Sequence, residues 1–201
     1  MSGWTRHSGR AAALPWDNID TDQLIPARFM SAPREAGYGR YLLHDLRRDA
    51  CGDPGEFPLD AAESVEVVVA GRNFGCGSSR EAAVYALADY GIRVVVAPSF
   101  GDIFASNAVN NGLLPAVVEG EAHRELLARA REGAEFATDL DACAVDAGNG
   151  PKPFRLDSIW RRKLINGWDD IDLTATHAEA IRTFAAQREK TAPWSAPSVS
   201  G

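Results

Sequence analysis

Apolar residues are spaced most regularly in the middle of this chain. Val65 to Ala70 is a valine-rich run and predicts a strand buried on both faces. Gly71 to Gly77 follows as a glycine-rich turn. Arg80 to Tyr90 then carries apolar residues at helical spacing and meets Gly91 at a C-cap position. Ile92 to Ala97 predicts a second buried strand, Phe100 to Asn110 a second helix stopped by Gly112, and Leu113 to Val118 a third strand. This alternation predicts parallel strands joined by right-handed crossovers. Glu121 to Glu132 reads as an amphipathic helix. Glu135 to Ala137, Ala142 to Val145 and Phe154 to Leu156 are short strand candidates, with Asn149-Gly150 as a hairpin turn. Ser158 to Ile165 and Thr176 to Arg188 predict helices, the second opened by Thr176 and Glu179 at capping-box spacing.

The rest carries less pattern. Residues 1–10 read as a loose lead-in, Ala11 to Trp16 as a short apolar run, and Asp17 to Asp22 as a turn-rich loop. Residues 30–60 mix Gly, Pro and charge, with room for one short helix. Long irregular stretches in a compact domain are usually functional or mobile. Residues 191–201, rich in Ser, Pro and Ala, predict a disordered tail, which leaves 1–190 as a single domain.

Composition then removes several function classes. With 201 residues, 45% of them apolar, the chain can bury one sizeable core. The net charge is -7 with both signs interspersed, so no basic stripe invites nucleic acid. No run of about 18 apolar residues predicts a membrane span. Met1 to Arg10 has no apolar signal core, so a cytoplasmic setting is expected. Cys51, Cys76 and Cys143 are far apart, and His7, His44, His123 and His177 are scattered. Those spacings argue against a disulfide framework and against a metal site held by this chain alone.

The chemistry concentrates in Gly71-Arg72-Asn73-Phe74-Gly75-Cys76-Gly77-Ser78-Ser79-Arg80-Glu81, which joins a strand to a helix N-terminus. Its glycines permit sharp turns and close approach of a ligand. A helix N-terminus offers free N–H groups and partial positive charge, which receive carboxylates well. Arg80 adds a guanidinium able to grip a carboxylate through two parallel hydrogen bonds. Ser78 and Glu81 also have S-x-x-E spacing, so a plain capping box explains them equally well. A dinucleotide loop is excluded by Arg80 at its third small position, and no G-x-S-x-G serine elbow is present. Asp17, Asp20 and Asp22 suggest calcium, but Arg28 stands where a bidentate acid is needed. Cys76 reads as a small packed thiol in a tight loop.

Asn73 to Glu81 resembles the signature loop of isopropylmalate dehydratase small subunits, and Gly77 to Glu81 also resembles the aconitase swivel domain. Further stretches are similar: His7-Ser8-Gly9, Asp20-Thr21-Asp22-Gln23-Leu24-Ile25-Pro26, Ala97-Pro98-Ser99-Phe100, Asn110 to Pro115, Trp160-Arg161-Arg162 and Asn166 to Ile171. The resemblance runs from residue 5 to about 188. It implies an α/β fold, the three-layer swivelling β/β/α domain of aconitase type. It implies no cofactor on this chain and a large-subunit partner that carries a 4Fe-4S cluster, paired one to one. It also implies a malate-type substrate whose hydroxyl moves between adjacent carbons by dehydration and rehydration, in leucine biosynthesis. By position, Ser78 resembles the general base. Ser79, Arg80, Gly77, Asp22 and Arg34 fall at substrate-binding positions, although Asp22 is equally an Asx-turn acceptor.

Two departures bear on the substrate. Ala82, Ala83, Val84 and Tyr85 stand where the family usually reads His-Ala-Pro-Trp, which means either repacking of the first helical turn or altered surroundings of the site. Glu35 falls where bacterial members often have Arg, with Arg34 one place earlier. Three readings follow: an isopropylmalate dehydratase subunit, a paralogue acting on another substituted malate, and a swivel domain that binds without catalysing. Ser78, Ser79 and Arg80 argue against the third.

Overall fold

The computed structural model describes residues 2–48, 53 and 55–195. β1 (Arg6–Leu14) is the longest strand, and it is shared between two pairings. Its second half runs parallel to β2 (Val67–Ala70), with Ala11 beside Val67 and Leu14 beside Ala70. Its first half pairs antiparallel with β5 (Glu135–Asp139), Arg6 opposite Asp139. β3 (Val94–Ala97) and β4 (Leu114–Val117) extend the parallel side. β6 (Ala144–Asp146) and β7 (Lys152–Pro153) extend the antiparallel side. The seven strands lie in the order β4-β3-β2-β1-β5-β6-β7. A bridge between Val117 and Arg155, closed by the Arg155 N–H on the Val117 carbonyl at 2.9 Å, joins the two ends. The sheet is therefore curled, as expected of the three-layer β/β/α class.

Alternation along the valine strands divides the core in two. Val68, Ala70, Val95 and Ala97 face one cluster, built with Leu14, Phe74, Leu87 and Phe104. Val67, Val69, Val94 and Val96 face the other, built with Leu126, Phe136, Val145 and Leu164. α2 (Glu81–Tyr90) and α3 (Asp102–Asn110) link the parallel strands. α4 (Gly120–Arg131) packs on β1 and β2. Gly91 closes α2 at φ +111°, and Gly112 follows α3 at φ +77°. Both fill left-handed positions that glycine adopts without strain.

Several expectations need correction. The lead-in over residues 6–10 is strand, and the apolar run after it continues the same strand. The turn-rich loop contains a helical turn, α1 (Thr21–Leu24). The third late strand candidate falls at Lys152–Pro153 instead of Phe154 to Leu156. α5 (Ser158–Asn166) is capped by Asp157, and α6 (Asp170–Ala175) was not anticipated. α7 (Ala178–Thr191) starts later than Thr176. The Thr176 hydroxyl donates back to the Leu173 carbonyl at 2.6 Å, so the expected cap is not formed. Residues 27–29, 34–36, 39–41 and 58–60 are single 3-10 turns. Of the expected tail, Thr191 ends α7 and Pro193–Ser195 form another 3-10 turn. Residues 196–201 and Cys51 lie outside the described residues.

Candidate active site

The loop from Gly71 to Arg80 leaves the carboxyl end of β2, where open α/β sheets commonly bind ligands. Neighbouring segments hold it from both sides. Gly75 N–H donates to the Ile19 carbonyl at 2.7 Å, and Thr21 N–H donates to the Cys76 carbonyl at 2.9 Å. Phe74 N–H donates to the Ser99 carbonyl at 3.1 Å, and Gly101 N–H to the Phe74 carbonyl at 2.9 Å. Asn73 N–H donates to Ser99 Oγ at 2.9 Å. Two glycines are required here. Gly75 has φ +72°, and a Cβ on it would lie 2.2 Å from the Phe104 ring. Gly77 has φ +96°, and a Cβ on it would make only ordinary contacts, 3.5 Å from Asp20 Cβ and Thr21 Oγ1.

The capping-box expectation for Ser78 and Glu81 is overturned. The N-cap of α2 is Arg80, with extended backbone and no side-chain cap. The Glu81 carboxylate accepts from Asn111 Nδ2 at 3.1 Å. It also bonds the Tyr85 hydroxyl, which is held above its ordinary value by burial first and by Glu81 second. Gly77, Ser78 and Ser79 are exposed. The two serine hydroxyls make no hydrogen bond among the described residues. The α2 N-terminus therefore presents uncapped N–H groups beside two unengaged hydroxyls.

Arg80 is half-buried and pairs through Nη1 with Asp22 Oδ1. Asp22 itself sits in the first turn of α1, 55% of its side chain exposed. A guanidinium has five donors, and among the described residues this contact leaves the Nε–Nη2 edge unengaged. Ser78, Ser79, Arg80, Gly77 and Asp22 are thus brought together. Arg34 is not with them. Its guanidinium grips Asp89 at 2.6 and 2.9 Å and lies over the Tyr85 ring at 4.4 Å. Asp89 is nine residues beyond Arg80, which is roughly 13 Å along a helix at 1.5 Å per residue. Glu35 is exposed beside it. Ala82 and Val84, two of the positions that depart from the family pattern, are buried in the core, so there the departure falls on the packing of the first turn of the helix.

Two side chains near the loop were not anticipated by sequence reasoning. Asp20 caps α1 and forms a capping box with Gln23, a D-x-x-Q signature that was legible. Thr21 is 2% exposed, and its hydroxyl donates to the Ser78 carbonyl at 3.0 Å. Cavities of about 920 Å³ and 390 Å³ lie elsewhere, the larger between Ala11–Ala13, Phe57 and Gly133, the smaller around Phe100 and Trp160. Serines and arginine instead lie on an open face. Cys76 and Cys143 are free thiols. Among the described residues, no group of three His, Cys, Asp or Glu side chains is placed to hold a metal ion, and no helix is long and apolar enough to cross a membrane.

A glycine-rich, hydroxyl-bearing loop after a parallel strand, in a curled β/β/α domain, fits the class of aconitase-type swivel modules. The family described as the aconitase C-terminal domain matches residues 1–121. The 3-isopropylmalate dehydratase small subunit of Shouchella clausii is 44% identical over 182 residues, covering 89% of this chain and 92% of that protein. That of Shewanella denitrificans is 44% identical over 194 residues, covering 92% and 96%. The crystal structure of 3-isopropylmalate dehydratase from Methanocaldococcus jannaschii superposes with a TM-score of 0.67 at 27% identity, over 90% of this chain and 99% of that one. The chain belongs to the 3-isopropylmalate dehydratase small-subunit family, within the aconitase superfamily of hydro-lyases.

Proposed function

We propose that this chain is the small subunit of a two-subunit hydro-lyase that interconverts 2-isopropylmalate and 3-isopropylmalate in leucine biosynthesis. Catalysis requires a large subunit, which carries the 4Fe-4S cluster. The observation that carries the reading is the open cluster of Ser78, Ser79 and Arg80 at the uncapped α2 N-terminus, in a chain of this family. As the alkoxide, Ser78 takes the proton from the substrate C–H and becomes the neutral hydroxyl, while the C–H electron pair forms the double bond and the hydroxyl on the adjacent carbon leaves. The partial positive charge of the helix N-terminus and the neighbouring Arg80 guanidinium favour the deprotonated form of Ser78 through space. Arg80 receives a substrate carboxylate on its free edge, with Asp22 holding the other. Ser79 and Gly77 complete the cradle. Lewis acidity for the hydroxyl end of the substrate comes from the cluster of the large subunit. A partner also supplies the exclusion of water that an exposed site lacks. Arg34 serves to fasten the 33–38 segment to α2.

Turnover by Ser78→Ala in the reconstituted two-subunit enzyme tests the reading. Activity is lost while cluster content and subunit binding persist. Because the Ser78 hydroxyl is exposed and unbonded, the melting curve moves by no more than a surface change, within about 0.5 kcal/mol. Near-normal turnover removes the base assignment and leaves the loop as an anion cradle.

A further inference from the structure

We propose that Thr21 is a positioning residue for this site, its hydroxyl fixing the Ser78–Ser79 peptide and hence the reach of the Ser78 side chain. The inference rests on the role given to Ser78 above. Ser78 Oγ has no hydrogen bond of its own among the described residues, so its position follows from the backbone and a single staggered torsion. That backbone is held at its carbonyls. Thr21 Oγ1 donates to the Ser78 carbonyl at 3.0 Å, and the Arg80 N–H donates to the same oxygen at 2.8 Å. Thr21 N–H takes the Cys76 carbonyl at 2.9 Å. One buried residue therefore grips both sides of Gly77, which at φ +96° would otherwise be free to turn. Asp22 next to it holds Arg80.

The clamp has a directional consequence. In a trans peptide the C=O and N–H point in opposite directions. With the Ser78 carbonyl turned toward the buried Thr21 hydroxyl, the Ser79 N–H turns away from it. Two donors on that carbonyl also polarise the peptide, which strengthens the Ser79 N–H as a donor. Thr21 thereby serves the reaction without touching the substrate. Gly77 contributes through its backbone, since φ +96° is a conformation that glycine adopts without strain.

Thr21→Val removes the hydroxyl and keeps the shape, whereas Thr21→Ser keeps the hydroxyl. In the two-subunit enzyme, Thr21→Val should lower kcat by about 100-fold, the loss typical of a small misplacement of a reacting group. KM should change far less, because Arg80 keeps its Asp22 contact. Thr21→Ser should restore most of kcat. In the small subunit, hydrogen exchange at the Arg80 amide should quicken in Thr21→Val and not in Thr21→Ser. A normal kcat in Thr21→Val, or equal losses in both variants, overturns the proposal. Should the valine variant not fold, Thr21→Ala against Thr21→Ser makes the same comparison of the hydroxyl. The two readings fail differently. Full turnover in Ser78→Ala removes the site assignment and Thr21's role with it. A dead Ser78→Ala enzyme beside a normal Thr21→Val enzyme removes the Thr21 inference alone.

Discussion

Gly75→Ala tests whether the loop is held as tightly as its contacts indicate. Two separate costs arise. At φ +72° an L residue lies in the left-handed region, which costs about 1–2 kcal/mol. The new methyl would also lie 2.2 Å from Phe104 Cγ and 2.5 Å from Cδ2. Phe104 cannot swing aside easily, because it is 3% exposed and packed edge-to-face on Phe74 and stacked on Phe100. Overpacking of this kind costs about a further 1–3 kcal/mol. The sum is about 2–5 kcal/mol. Gly77→Ala is the control, since it shares the backbone cost at φ +96° but meets nothing closer than 3.5 Å. Urea unfolding of the small subunit, with matched m-values, gives both differences. If Gly75→Ala is no more destabilising than Gly77→Ala, the Phe104 contact is not a constraint and the packing argument fails.

Other outcomes follow from particular contacts. Asp22→Asn should raise KM several-fold by loosening Arg80, while the melt stays within about 1 kcal/mol because the Asp22 side of the pair is exposed; an unchanged KM refutes the contact's role. Glu35→Arg should alter preference among malate derivatives with a stability change within about 0.5 kcal/mol; unchanged specificity constants mean that this segment does not read the substrate. Lys163, 2% exposed, and Asn110 hold the Asp170 carboxyl below its ordinary value of 3.8. The stability from this contact is therefore complete above 3.8 and is lost as pH falls through the lower folded value. Melts of Asp170→Asn and the unmodified chain should differ near neutrality and converge at the acid end; a difference that persists in acid refutes the assignment.

Fold features written in apolar spacing were legible, and those written in small or polar residues were not. Val65 to Ala70 and Ile92 to Ala97 read as buried strands because β-branched residues fill both faces. β1 escaped the same reading for two reasons. Its first half, Arg6 to Arg10, is largely exposed and shows no apolar pattern. Its second half is Ala11-Ala12-Ala13, which has weak strand preference and is placed by burial between β2 and α4. α6 was missed because its box is Asp169 with Asp172, an Asp where Glu or Gln is looked for.

Residue types in the loop were legible, whereas the contacts that hold them were not. Glycines, hydroxyls and a guanidinium before a helix are the chemistry that suits an anion-receiving terminus. S-x-x-E spacing suggested that Ser78 starts the helix, yet the helix starts after Arg80. The cause lies outside the local sequence. Glu81 is occupied by Asn111, thirty residues away, and Ser78 is held through its carbonyl by Thr21, fifty-seven residues away. Arg34 likewise takes its ion-pair partner from far along the chain, since Asp89 is fifty-five residues distant. A short spacing rule fixes only what neighbours along the chain decide. Here the start of α2 and the path of the serines before it meet contacts from α1 and from Asn111 just after α3, and the contact of the Thr21 hydroxyl is written in no motif around Ser78.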